Sequence, residues 1–233
     1  MKKIIGIVGS GMVGRDPFHP QCWSRSGYNL FQTLIKENLL HRAFGVEVPW
    51  PLRAFYLGKN FHFRKDRWRQ KLYLDPGYYS ALTKEIKKSL FPSDFEKDCA
   101  LLQIGGHYNA AEAAEHRIEA FSYHDGNISG MMKSPYFDQT CMAEARKAFE
   151  YEKRVYKAMR KIFVMAEYWR QSFINDFEVD EKKVVNVRYG VNIETPTRIQ
   201  KDYEKQEVVF IGSDFLRSEE HTSELQSRLH LVC

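Results

Sequence analysis

Two histidines fall where an open α/β sheet keeps its chemistry. His107 follows the run Leu101-Leu102-Gln103-Ile104-Gly105-Gly106, and His124 follows Ala120-Phe121-Ser122-Tyr123 and precedes Asp125. Ligands of such sheets bind outside the carboxyl ends of the strands, which puts both imidazoles near the expected cleft. Imidazole titrates near neutral pH, and Asp125 is placed to fix the tautomer of His124 or raise its basicity by a hydrogen bond. His19, His41, His62 and His116 have no comparable setting. No pair of carboxylates at hydrolase-like positions can be inferred, so a two-carboxylate glycosidase mechanism has no support.

A second feature imitates a nucleotide site. Gly9-Ser10-Gly11-Met12-Val13-Gly14 matches G-x-G-x-x-G after a strand, an arrangement in which backbone amides and a helix N-terminus meet a pyrophosphate. Its context is wrong for a dinucleotide. Asp16-Pro17-Phe18-His19-Pro20 follows almost at once, and proline breaks an early helix interior. The acidic residue expected about 20 residues on is missing; the nearest strand-borne candidate, Glu47, comes much later.

The elements that must position these residues alternate. Apolar runs predict strands over Lys2–Val8, Ala43–Val48, Ala100–Ile104, Ala120–Tyr123, Ile162–Met165 and Val184–Val187. Helical spacing covers Ser26–Glu37, with Ser26 available as N-cap, then Tyr78–Leu90, Tyr108–Arg117, Thr140–Arg160 and Glu167–Phe177. In the long fourth helix Ala145, Phe149, Tyr156 and Met159 form the core stripe. Strands alternating with helices predict an α/β fold, a Rossmann-like open parallel sheet with helices on both faces. The chain turns polar over Thr195–Glu207, a linker candidate, before Val208-Val209-Phe210-Ile211-Gly212 opens a new strand.

Composition narrows the class. With 43% hydrophobic residues in 233, a buried core is well supplied. No run approaches the roughly 18 consecutive apolar residues of a membrane span, and the N-terminus does not read as a secretory signal. Cys22, Cys99, Cys141 and Cys233 form no metal-type pair and read as reduced thiols of a cytoplasmic protein. The net charge of +5 is concentrated in Arg53–Lys71, where Arg and Lys alternate with Phe, Tyr and Trp. That mixture suits an anionic surface, such as peripheral contact with an inner membrane. It also suits stacking on single-stranded nucleic acid, or a solvated excursion between core elements; no nucleic-acid partner is expected.

The stretch Lys161–Glu194 carries a family resemblance. Ala166-Glu167, Arg170-Gln171-Ser172-Phe173, Asp180-Glu181-Lys182-Lys183-Val184 and Gly190-Val191-Asn192 stand in the order strand, helix, turn, strand, loop. This pattern resembles the N-terminal domain of glycosyltransferase family 4, enzymes of the two-domain GT-B fold, with Ala166 where serine is usual. The resemblance covers about residues 1 to 217 and implies transfer of a sugar from a nucleotide-sugar donor to a hydroxyl of a saccharide or lipid-linked acceptor, with no metal cofactor. It makes His124 the catalytic candidate, supported by Asp125. It sets Ser26, Gly27 and His107 against acceptor or phosphate, and Arg217 against the donor diphosphate. It divides the chain into an acceptor-side domain at 1–200 and a linker with the first strand of a truncated donor domain at 201–216. The stretch Arg217–Ser227, RSEEHTSELQS, looks like the translation of a sequencing-adapter oligonucleotide, so 217–233 reads as a non-native tail and the fragment as inactive alone. The rival readings are an NAD(P)-dependent oxidoreductase using the Gly9–Gly14 loop and a non-enzymatic carbohydrate- or surface-binding module.

Overall fold

Strands rich in Ile, Val and Leu on both faces have to be covered on both faces, and the chain does this with a parallel sheet. The computed structural model describes residues 2–9, 16–19, 22, 26–91, 94, 98–188 and 190. The glycine loop beyond Gly9, the linker and new strand at 201–216, Arg217 and the tail lie outside them. The strands are β1 (Lys3–Gly9), β2 (Leu40–Val46), β3 (Cys99–Ile104), β4 (Ala120–His124), β5 (Lys161–Val164) and β6 (Val184–Asn186). They form one all-parallel sheet in the order β2-β1-β3-β4-β5-β6. The fold is therefore α/β and Rossmann-like. After β2 the chain crosses to the far side of β1, so the order reverses between β1 and β3, and a crevice opens at their carboxyl ends.

The helices are α1 (Ser26–Lys36), α2 (Trp50–Lys59), α3 (Lys65–Tyr73), α4 (Pro76–Ser89), α5 (Ala110–Ala113), α6 (Ile128–Lys133), α7 (Met142–Ala158) and α8 (Glu167–Asn175). Parallel register puts Ile7, Gln103, Ser122 and Ile162 in one row on one face. That face belongs to the large core, which takes Leu82 and Ile86 from α4, Ala110 from α5, Val155 and Tyr156 from α7, and Phe173 from α8. The opposite face pairs Val8 with Ile104 and packs them with Cys22 and with Phe31 of α1. A Cβ on Gly6 would lie 2.2 Å from Phe31 Cε1, so a bare backbone lets α1 approach β1. None of the helices in the described residues is long and apolar enough to cross a membrane.

Several boundaries differ from the sequence reading. The second strand runs over Leu40–Val46 rather than Ala43–Val48. The helix expected over Tyr78–Leu90 starts at Pro76, because the Asp75 carboxylate accepts from the Gly77 N–H at 2.8 Å. The helix expected over Tyr108–Arg117 shrinks to Ala110–Ala113: Asn109 caps it, and Glu115 and His116 sit at φ 53° and 56°, beyond helical backbone. The excursion Arg53–Lys71 contains two helices, α2 and α3, neither of which buries a residue fully.

Tyr108 ties the crevice together. Its buried hydroxyl donates to the Ile7 carbonyl at 2.7 Å and accepts from the Ile104 N–H at 3.2 Å, bridging β1 and β3 where the order reverses. Tyr108→Phe strands a buried carbonyl and an N–H, and should lower unfolding free energy by about 1–2 kcal/mol. Urea denaturation reads this directly; an unchanged midpoint would show that the bridge contributes nothing net.

Candidate active site

The loop after β3 is held from three sides. From below, Gln103, fully buried in the sheet, donates through Nε2 to the carbonyls of Gly105 at 2.7 Å and Tyr108 at 3.1 Å, and its Oε1 accepts from the Ala110 N–H at 2.9 Å. From α4, Thr83 Oγ1 accepts from the Asn109 N–H at 3.0 Å and meets Tyr151 Oη at 2.9 Å. From α7, Glu152 and Tyr156 press against Gly106: a Cβ there would lie 2.6 Å from Tyr156 Oη and 3.2 Å from Glu152 Cδ. Gly105 turns the chain at φ 88°, a conformation that favours glycine. These constraints set the direction of His107.

Glu152 is the buried charge-bearing group of this corner. Its Oε2 accepts from the Ile128 N–H at 3.0 Å and from Tyr156 Oη at 2.7 Å. Burial pushes its carboxyl up to about 7, against the opposing pull of those two hydrogen bonds. Ile128 is the first residue of α6, which Asn127 caps by accepting from the Gly130 N–H at 2.9 Å.

His124 lies in the core beside Tyr156, the tyrosine that donates to this carboxyl. It is 1% exposed, edge-on to Tyr156 at 5.1 Å between ring centroids and tilted against Phe173 at the same distance. Its Nε2 is buried with no hydrogen-bond partner, as is Ser122 Oγ on the same strand. Burial, with a smaller contribution from His107, lowers its pKa to about 3, so the ring is neutral. Among the described residues Asp125 makes no hydrogen bond to His124; its side chain is exposed, although the surrounding chain desolvates the carboxyl enough to raise its pKa.

His107 faces a cleft of about 910 Å³. Its ring packs edge-on to Tyr73 at 4.3 Å and Tyr79 at 5.1 Å, and although part of its surface stays open to the cleft, burial lowers its pKa to about 4. The opposite walls come from α2 and α3, which contribute Arg53, Lys65 and Arg69, and from Ser134, Tyr136 and Phe137 after α6. Of the site residues named from sequence, His107 lines this cleft; His124 and Asp125 do not. Ser26 and Gly27 begin α1 on the other face of the sheet, where Gly27 lies beside Ile104 and Cys22. Arg217 falls outside the described residues. Glu152 was missed, yet its signal is present: a glutamate in the apolar stripe of α7, four residues before Tyr156.

The protonation states give a test. Unfolded Glu152 ionises near its ordinary value of 4.5, and the folded carboxyl near 7. The stability it contributes is therefore full below the lower value and lost as pH rises to the upper one. The buried histidines act in the opposite sense: unfolded imidazole takes a proton below 6.5, while the folded rings resist to about 4 and 3, so stability falls as pH drops below 6.5. Glu152→Gln removes the dependence of this carboxyl and leaves that of the histidines and every other titrating group unchanged. The variant should gain on the wild type between about pH 5 and pH 7 and then level off, measured as the difference between unfolding free energies; a difference flat across that range would exclude the raised carboxyl.

No protein-family model matches the chain, and no curated protein matches it either.

Proposed function

We propose that this chain is the acceptor-side lobe of a glycosyltransferase, moving a sugar from a nucleotide-sugar donor to a hydroxyl of its acceptor. The observation that carries this reading is the cleft at the carboxyl end of β3, with a neutral histidine fixed on its wall by Gln103, the glycine turn and two tyrosines. Parallel sheets place substrates at that edge. The sequence pattern over Lys161–Glu194 supports the same class.

The mechanism follows from the state of the side chains. An imidazole whose pKa lies near 4 is a weak base. It accepts a hydrogen bond from an acceptor hydroxyl and aims the oxygen; it does not hold a full proton at neutral pH. Catalysis on this reading rests on orienting the hydroxyl and on stabilising the departing diphosphate from the donor side; the bond from the sugar to that diphosphate breaks as the new C–O bond forms, and the released phosphate oxygen takes up the hydroxyl proton. His124 does not touch the acceptor: it acts through the wall, as a positioning residue behind His107.

Full-length protein incubated with labelled nucleotide-sugars and saccharide or lipid acceptors should transfer label. His107→Ala should lower kcat by about 10²-fold, the scale of losing the hydrogen bond that orients a reacting hydroxyl, with an unchanged circular dichroism spectrum. Oxidation of a reduced nicotinamide cofactor in place of sugar transfer would overturn the reading, and undiminished turnover in His107→Ala would remove that histidine from the site.

A further inference from the structure

We propose that the cleft binds an anionic amphiphile, an acidic head group of phosphate or carboxylate type carried on an apolar chain. As a statement about the acceptor class this rests on the glycosyltransferase reading; as a statement about binding it stands on the cleft alone.

The charge of the cleft is one-sided. Arg53, Lys65 and Arg69 line it, and among the described residues no aspartate or glutamate does. Among the described residues none of these three makes an ion pair, whereas neighbouring cations pointing elsewhere are neutralised: Lys59 by Asp75 at 2.8 Å, Arg67 by Asp138 at 2.5 Å and Lys71 by Glu144 at 3.4 Å. The distinction follows position, since all six cations come from α2 and α3. Arg53 adds an independent sign. Its Nε is buried without a hydrogen-bond partner, a condition that folded proteins avoid unless something completes the site. An acidic oxygen would complete it, and a guanidinium binds carboxylate and phosphate through paired N–H groups.

The rest of the lining asks for hydrocarbon. Leu57, Leu72, Leu82, Met131 and Phe137 form apolar wall, with the Trp68 indole held by its Nε1–H on the Leu57 carbonyl at 2.9 Å. A cleft of about 910 Å³ is far larger than an inorganic anion needs and falls in the range of drug-sized ligand sites. The same segment that supplies the cations, α2, α3 and the turn between them, exposes Trp50, Phe55 and Phe63, the last 94% exposed. Exposed aromatic rings on a segment that also carries unpaired cations suit the boundary of a lipid phase. Unpaired cations and hydrocarbon in one lining together select a molecule that is both charged and apolar, and they select against a neutral glycan.

Titration calorimetry with three probes decides it: decyl phosphate below its micelle concentration, inorganic phosphate, and decyl maltoside. Decyl phosphate should bind saturably at one site, and about tenfold or more tighter than either other probe, since each of those lacks one half of the recognition. Arg69→Ala and Lys65→Ala, both at exposed positions, should each weaken decyl phosphate by several-fold without changing the thermal midpoint. Arg53→Ala should weaken it by about tenfold or more, compared at matched folded fraction. Equal affinity for decyl phosphate and decyl maltoside would overturn the proposal, as would indifference to all three substitutions. Tighter binding of inorganic phosphate would assign a free anion instead of a lipid-like one. Decyl phosphate binding without sugar transfer would sink the enzymatic reading and leave this one standing. Transfer to a neutral saccharide without decyl phosphate binding would do the reverse.

Discussion

The Glu152 carboxyl is the interaction on which this corner of the protein depends. A carboxylate taken from water into an apolar core is costly unless it is hydrogen-bonded or protonated. This one is offered both remedies. It accepts from Tyr156 on its own helix and from the first N–H of α6, and its raised pKa lets it hold a proton near neutrality. In exchange it fixes three separate pieces of chain. The helix α6 begins where its N–H finds that oxygen. Tyr156 is held against His124 and Phe173. The Gly105–Gly106 turn closes over the pair because no Cβ intervenes. His107 takes its place on the cleft wall as the result of that packing.

The two sides of the cleft are built differently. The side formed by the sheet, α4 and α7 is a close-packed core with satisfied polar groups such as Gln103, Thr83 and Tyr151. The side formed by α2 and α3 buries no residue fully and is tethered by polar contacts at a few points. Lys59 and Asn60 both donate to Asp75 at 2.8 Å, Trp68 donates to Leu57, Arg67 and Lys71 reach acids near the start of α7, and the Tyr79 hydroxyl donates to the Tyr73 carbonyl. Elements with few buried apolar contacts open at lower free energy than core strands. The rigid wall therefore carries the oriented histidine, and the lightly held wall carries the unpaired cations.

The sheet was legible because a parallel strand buried on both faces must be apolar almost throughout, and runs such as Cys99–Ile104 show that directly. The long helices were legible through their stripes. What escaped has a physical reason in each case. The apolar residues of α2 do not converge on one buried face, since Trp50, Leu52 and Phe55 all stay exposed, so periodicity gave no helix signal. The short α5 is stopped by two left-handed residues that carry side chains, which composition does not reveal. The position of His124 at a strand end was readable, but its burial was not. Burial depends on Tyr156 and Phe173, which arrive from helices later in the chain. Alternation along Ala120, Ser122 and His124 did hold one clue: the three share the face that becomes the large core.

The two faces of β3 end in different equipment. On one face α1 begins beside Ile104 with Gly27 packed close, so the first N–H groups of a helix meet the edge of the sheet. Helix N-termini favour negative charge. On the other face the loop after Ile104 carries His107 to the cleft of Arg53, Lys65 and Arg69. Tyr108, bridging Ile7 and Ile104, holds the two arrangements at a fixed spacing. Group transfer between two substrates requires their reacting atoms to be held within a fraction of an ångström of the productive geometry. On the transfer proposed above, the hydrogen-bonded pin that Tyr108 makes between β1 and β3 serves that requirement more directly than any single side chain in the cleft.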